Sequence, residues 1–184
     1  MSIIEKFLNR IMQVLDNIKY GKCGRKSKII KPMRIIGKRR IFLGENVRIL
    51  NNARLETIRI WSGKVLNGQL HIGDHTSIEQ NCHIIAANYV GIGKDCVISS
   101  FVYISDCSHN YSPYSSIMES ELEVKKTVIG DHCFIGVGAC IMPGVILGDN
   151  VVVGANSVVT KNVPSNAIVA GVPAKIIKRW EFSK

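Results

Sequence analysis

The sequence predicts a mainly β protein, a three-sided parallel coil built from a six-residue repeat, and three observations carry that prediction. Aliphatic residues recur six apart at Ile129, Ile135, Ile141, Leu147, Val153 and Val159 without a break. Four residues beyond each stand Cys133, Ala139, Val145, Val151, Ser157 and Val163, all small or β-branched. One residue beyond each stand Gly130, Gly136, Met142, Gly148, Gly154 and Thr160, rich in glycine. Self-similarity at a fixed period is the signature of a solenoid.

A helix would want a period of about 3.6 and a simple strand a period of 2. Six residues make one short strand and one turn, and three such units close a triangular coil. Stacked coils form parallel sheets, with the aliphatic residue of each unit pointing inward and the small residue fitting near a corner. Gly148-Asp149-Asn150 and Gly130-Asp131 supply turn chemistry at fixed offsets. The same register runs upstream through Ile72, Ile78, Ile84, through Ile92, Ile98, Ile104, and more weakly through Leu43, Ile49, Leu55. Cys82, Cys96 and Cys133 fall in the small apolar slot, which accounts for them as packing residues.

With 184 residues the chain suits one domain. The expected organisation is a basic N-terminal arm with an amphipathic helix over 1–34, the coil over 35–164 with an extruded loop at 105–126, and a C-terminal extension over 165–184. Ile4, Phe7, Leu8, Ile11, Leu15 and Ile18 mark the apolar face of the N-terminal helix. Residues 105–126 are polar, contain Pro113 and leave the register. Residues 165–170 read as a turn-rich exit, and Pro173–Trp180 as a short basic C-terminal helix.

Lys and Arg outnumber Asp and Glu by 24 to 14, and the whole excess of +10 falls within residues 1–48. Such an arm is either a solvated surface or an attraction for a phosphate-rich or acidic partner: anionic lipid, a nucleotide-linked sugar or an acidic glycan. Few aromatics accompany the charge, so no nucleic-acid partner is expected. No apolar run reaches the roughly 20 residues of a membrane span, and no signal-peptide pattern opens the chain. The expected location is the cytoplasm, with the N-terminal arm a candidate for peripheral contact with the inner face of the membrane. The six cysteines include no C-x-x-C pair, so no metal site is expected.

The run I-G-D-H-C-F-I-G-V-G-A-C-I-M-P-G-V-I-L-G-D-N-V-V-V-G-A-N-S-V-V-T-K-N-V-P and the tail N-A-I-V-A-G-V-P-A-K-I-I-K-R-W resemble the hexapeptide-repeat acyltransferases. The likeness is greatest to bacterial sugar and surface-polysaccharide O-acetyltransferases. It covers about residues 36–180 and is most specific over 127–178. It implies a left-handed β-helix, an exception to the right-handed crossover rule, and a homotrimer with active sites at subunit boundaries. It implies acetyl-CoA as acyl donor and a sugar or glycan acceptor.

An alcohol attacks a thioester only if a base takes its proton as the bond forms. The string I-S-D-C-S-H-N-Y resembles the family segment that holds the catalytic histidine, which makes His109 the expected base, with Asp106 to orient the imidazole. A surface histidine in a polar loop is the plain alternative. His71, His75, His83 and His132 lie within repeat units and are expected outside any site. Glu79 stands where the galactoside and maltose enzymes carry an asparagine that contacts the acceptor, so Glu79 and Asn81 are candidate acceptor contacts and the acceptor's identity stays open. The resemblance maps acetyl-CoA contacts onto Gly136, Val137, Gly154 and Ala155 for the pantetheine arm, Thr160 and Lys161 near the adenine, and Lys175 and Lys178 for the phosphates. Cys107, beside His109, offers a covalent acyl-cysteine route, but the resemblance implies direct attack. Competing readings are N-acetylation of a nucleotide-linked amino sugar, O-acetylation of serine or an antibiotic, and a non-enzymatic β-helix scaffold.

Overall fold

The computed structural model describes residues 19–114 and 116–180, so the expected amphipathic helix at 3–18 lies outside the described residues. The fold is a left-handed parallel β-helix. Six coils stack, each running through three sheets. They comprise β1 (Lys22–Cys23), β2 (Lys28–Ile29) and β3 (Arg34–Ile36); then β4 (Ile41–Leu43), β5 (Arg48–Ile49) and β6 (Arg54–Thr57). A hairpin, β7 (Ile60–Trp61) and β8 (Lys64–Val65), precedes the third coil of β9 (Gln69–Ile72), β10 (Ser77–Ile78) and β11 (His83–Ala86). The fourth is β12 (Tyr89–Ile92), β13 (Val97–Ile98) and β14 (Tyr103–Ser105), followed by a second hairpin, β15 (Cys107–His109) and β16 (Leu122–Val124). The last two are β17 (Thr127–Ile129), β18 (Phe134–Ile135), β19 (Cys140–Ile141), and β20 (Ile146–Leu147), β21 (Val152–Val153), β22 (Val158–Val159).

Every repeat aliphatic is inside. Ile129, Ile135, Ile141, Leu147, Val153 and Val159 are all 1% exposed or less, and the three upstream blocks join the same core. Cys82, Cys96 and Cys133 are buried in the small-residue slot, as expected. Burial of each such rung removes apolar surface worth about 1.5–3 kcal/mol per large aliphatic, and backbone ladders to the coils above and below satisfy its peptide groups.

The three corners are built differently. At the first, between the first and second sheets, a carboxylate or hydroxyl caps the preceding coil: Asp74 accepts from the Glu45 N–H at 2.7 Å, Asp131 from Lys94 at 2.9 Å, Asp149 from Asp131 at 2.8 Å and Ser165 from Asp149 at 3.0 Å. A Cβ on Gly130 would lie 2.5 Å from the Asp149 carboxylate, so the glycine ahead of each acid is fixed by this approach. Left-handed residues three beyond the aliphatic close the first and second corners; they include Asn46, Asn52, His75, Asn81, Asp95, His132, Asn150 and Asn156. His75 and His132 are therefore turn residues. On the outer face of the first sheet, His71 stacks between Phe42 at 4.4 Å and Tyr89 at 5.1 Å.

Two expectations are corrected. The coil starts at Lys22, not at residue 35: β1, β2 and β3 pair in parallel with β4, β5 and β6. The aliphatic register weakens in this first coil, where Lys and Arg dominate, so the period did not reveal it. The C-terminal helix does not form. β23 (Ala167–Gly171) continues the second sheet, and β24 (Ala174–Arg179) turns back antiparallel upon it after a cis Val172–Pro173 bond. An open sheet edge offers a full set of backbone partners to a β-branched stretch, and that pairing overrides a weak helical preference. Among the described residues no helix is long and apolar enough to cross a membrane.

Candidate active site

The third corner, between the third sheet and the first, is where the coil opens. The fourth coil releases the chain after Ser105 and recovers it at Thr127. The neck is closed by the Lys125 N–H donating to the Asp106 carbonyl at 2.7 Å and the Thr127 hydroxyl to the Ser105 carbonyl at 2.9 Å. β15 and β16 pair antiparallel, with His109 opposite Leu122, so the imidazole stands exposed at the rim of the opening.

Asp106 does not serve the role expected of it. Its side chain is fully buried, and its two oxygens accept the Ala87 and Asn88 backbone N–H groups, each at 2.7 Å. Burial pushes its carboxyl above the usual range against the pull of these bonds. Asp106 braces the corner between the third and fourth coils; the aromatic neighbour of His109 is instead Trp61.

Trp61 is a residue that the six-residue period does not single out. It sits on the hairpin that interrupts the same corner two coils earlier, and its ring meets His109 edge-on at 5.1 Å and 67°. The Trp61 indole N–H donates to the Ser120 carbonyl at 2.8 Å, the Ser62 hydroxyl donates to the Glu119 carbonyl at 2.8 Å, and Lys64 pairs with Glu121. The first insertion thus clasps the second and fixes the loop that carries the histidine. The available signal was Ser62-Gly63, both with positive φ, between the short runs Ile60-Trp61 and Lys64-Val65, a two-residue hairpin turn.

Cys107 is buried, and desolvation raises its thiol above the ordinary value. A nucleophilic cysteine needs the opposite shift and access to substrate, so the acyl-cysteine route has no support here. Cys82 is likewise pushed up to about 11, chiefly by burial.

The other expected contacts divide between two corners. Glu79 and Asn81 follow β10, Gly136 and Val137 follow β18, and Gly154 and Ala155 follow β21, all on the second corner. Thr160 and Lys161 follow β22 on the third, the corner of His109. A single chain does not bring the two sets together. Glu79 is half-buried and accepts from the Ser77 hydroxyl at 3.0 Å. The Gly136 Cβ position lies 2.6 Å from the Ala155 nitrogen, so this glycine is fixed by coil stacking and not only by room for a ligand. Val137, Ala155, Thr160 and Lys161 are exposed. Lys175 and Lys178 are exposed on β24, with the Lys178 ammonium 4.8 Å from the Trp180 ring. Among the described residues no three His, Cys, Asp or Glu side chains stand together as a metal site.

Comparison with known proteins bears on this arrangement. Residues 126–161 match the family model described as the hexapeptide repeat of succinyl-transferase. WbbJ of Escherichia coli, a lipopolysaccharide-biosynthesis O-acetyl transferase by name, is 39% identical over 121 residues, covering 61% of this chain and 62% of WbbJ. The galactoside O-acetyltransferase of Escherichia coli is 35% identical over 109 residues, covering 59% of this chain and 53% of that enzyme. Less than two thirds of either relative's length is therefore matched. Among solved structures, a hexapeptide-repeat acetyltransferase from Vibrio cholerae complexed with acetyl coenzyme A is 27% identical with a TM-score of 0.65, covering 92% of this chain and 76% of that one. The N-acyltransferase AntD from Bacillus cereus, in complex with dTDP and 3-hydroxybutyryl-CoA, shares the fold at a TM-score of 0.74 and 22% identity, covering 92% of this chain and 88% of that one. Repeat, coil and relatives agree: residues 126–161 carry the hexapeptide repeat, and the chain is similar in sequence and fold to hexapeptide-repeat acetyltransferases.

Proposed function

We propose that the protein is an O-acetyltransferase that moves the acetyl group of acetyl-CoA directly to a hydroxyl of a sugar or surface polysaccharide, with His109 as general base. The observation that carries this reading is an exposed imidazole held at the mouth of the opened corner by a loop that Trp61, Ser62 and Lys64 clamp in place. The neutral imidazole takes the proton of the attacking hydroxyl. The alkoxide oxygen bonds to the acetyl carbon, backbone N–H groups stabilise the tetrahedral oxyanion, and the CoA thiolate leaves and recovers a proton.

The division of the expected contacts between two corners supports a homotrimer. The second corner of one subunit, with Glu79, Val137 and Ala155, would face the third corner of its neighbour, with His109, Thr160 and Lys161. The acyl donor would then lie in the groove between subunits, its phosphates toward Lys175 and Lys178. The names of WbbJ and the galactoside enzyme support a glycan hydroxyl as acceptor.

The test is release of CoA thiol from acetyl-CoA with a panel of sugars, using the intact protein and His109→Ala. The expected result is sugar-dependent thiol release that His109→Ala abolishes, with acetyl-CoA binding by calorimetry retained. Undiminished turnover in His109→Ala would overturn the role of the histidine, and absence of acetyl-CoA binding by the native protein would return the chain to the scaffold reading.

A further inference from the structure

A second feature stands against the wall of this corner. On the outer face of the third sheet, Arg34 and Arg54 are neighbours in register on β3 and β6. The Glu56 carboxylate, only 8% exposed at its side chain, holds both: Arg54 donates Nε to Oε1 at 2.8 Å and Nη2 to Oε2 at 3.0 Å, and Arg34 Nε stands 3.6 Å from Oε1. Arg40 reaches in from the 3-10 turn Lys38–Arg40 and donates Nη2 to the Thr57 carbonyl at 2.7 Å, while its Nε is buried with no partner. Arg59 lies beside it, and the guanidinium of Arg40 is destabilised first by burial and then by this like charge. Among the described residues neither Arg40 nor Arg59 has a carboxylate partner.

These side chains line a cavity of about 450 Å³ whose walls also include Trp61. Four guanidiniums and one carboxylate give it a net charge of +3. A neutral sugar would leave the half-buried Arg40, with its unpartnered Nε–H, beside the exposed Arg59 with no anion between them. Arginine forks match phosphoryl oxygens in pairs. Trp61 lines the cavity and also touches the His109 ring, so the two places share one wall.

We propose that this cavity binds the phosphoryl group of the acceptor, so that the substrate is a phosphate-bearing sugar whose anion is held by Arg40 and Arg59 while its hydroxyl reaches His109. The inference rests on the reading of His109 as the base, but the anion site is tested without turnover. Glu56 keeps Arg34 and Arg54 extended as the far wall, and Trp61 fixes the span between anion and base.

Calorimetry on the intact protein, saturated with acetyl-CoA to fill the donor's own site, would compare glucose 1-phosphate, UDP-glucose, inorganic pyrophosphate and glucose. The phosphate-bearing ligands are expected to bind and glucose not to, and Arg59→Gln and Arg40→Gln are each expected to weaken binding at least tenfold. Acetyl-CoA affinity in the variants reports that they have folded. Tighter binding of UDP-glucose than of glucose 1-phosphate identifies a nucleotide-linked acceptor, and the reverse order a sugar monophosphate; both sustain the proposal. No binding of either phosphate-bearing sugar, binding undiminished in Arg59→Gln, or binding that acetyl-CoA abolishes would overturn it. His109→Ala should retain this binding, so a failed base assignment and a failed anion site give different results.

Discussion

The first and third corners turn the same chain through the same triangle by opposite means. At the first corner each coil places a glycine too close to the next coil for a side chain and a left-handed Lys, Asn, Asp or His, and at four levels an acid or serine caps the coil below. At the third the coil is broken twice, by the hairpin around Ser62-Gly63 and by the loop of 106–126, and the two insertions hold each other. The difference teaches where a solenoid stores stability and where it can place chemistry. Each coil leans only on its neighbours, so a corner can be lengthened without disturbing the stack, and side chains that protrude there escape the packing that fixes every inward rung.

The sharpest way to break this comparison is to remove the same residue type at both corners. His109→Ala should lower turnover about 10²–10⁴-fold, the range of a lost general base. His132→Asn, at the first corner, replaces one left-handed turn residue with another and should leave turnover unchanged; steady-state kinetics on both variants decide the matter. Next in size is the brace. Asp106→Ala leaves the buried Ala87 amide and the part-buried Asn88 amide without their acceptor and should cost about 1–3 kcal/mol of stability, whereas Asp131→Ala, half-exposed at the first corner, should cost about 1 kcal/mol or less. Denaturant midpoints would separate them, and equal losses would mean that the third corner is no more dependent on its buried acid.

Smaller still is the effect of Phe101, which closes a second corner with φ of 62°, a conformation awkward for a bulky side chain. Phe101→Asn should stabilise the protein by up to about 1 kcal/mol, read as a rise in Tm; a fall would mean that the exposed ring is covered in the assembly. The smallest expected effect is a pH dependence. Burial holds the His71 imidazole below its usual value near 6.5. Below that pH the unfolded chain takes up the proton first, so stability falls as pH drops from 7 toward 5 and returns as pH rises. His71→Phe, between Phe42 and Tyr89, should flatten that part of the Tm profile.

What could be read in advance follows the same division. Ile129 through Val159 and the slot of Cys82, Cys96 and Cys133 were legible because an inward rung tolerates few residue types, so geometry writes itself into the period. The insertion that carries His109 was legible as the point where the period stops. Trp61 was not, because strands of two residues are too short for alternation to register. The arginine cavity was hidden for another reason: Arg34, Arg40, Arg54 and Arg59 lie far apart along a generally basic stretch and meet only when one coil stacks on the next. The role of Asp106 was misread because proximity in sequence suggested His109 as its partner, whereas its oxygens accept the Ala87 and Asn88 amides of the coil below. The C-terminal strand was misread because its pairing partner, the free edge left by β21 and β23, exists only once the coils have formed.

That last strand has a consequence for how copies of the protein meet. A stack of parallel rungs has no intrinsic stopping point, and another molecule's first coil could in principle sit on the last one and begin a fibre. Ala174–Arg179 runs against the direction of every rung before it and carries Lys175, Lys178 and Arg179 outward. An arriving coil would need a parallel template and would meet a reversed, positively charged lip along the second sheet. Growth along the axis is thereby discouraged.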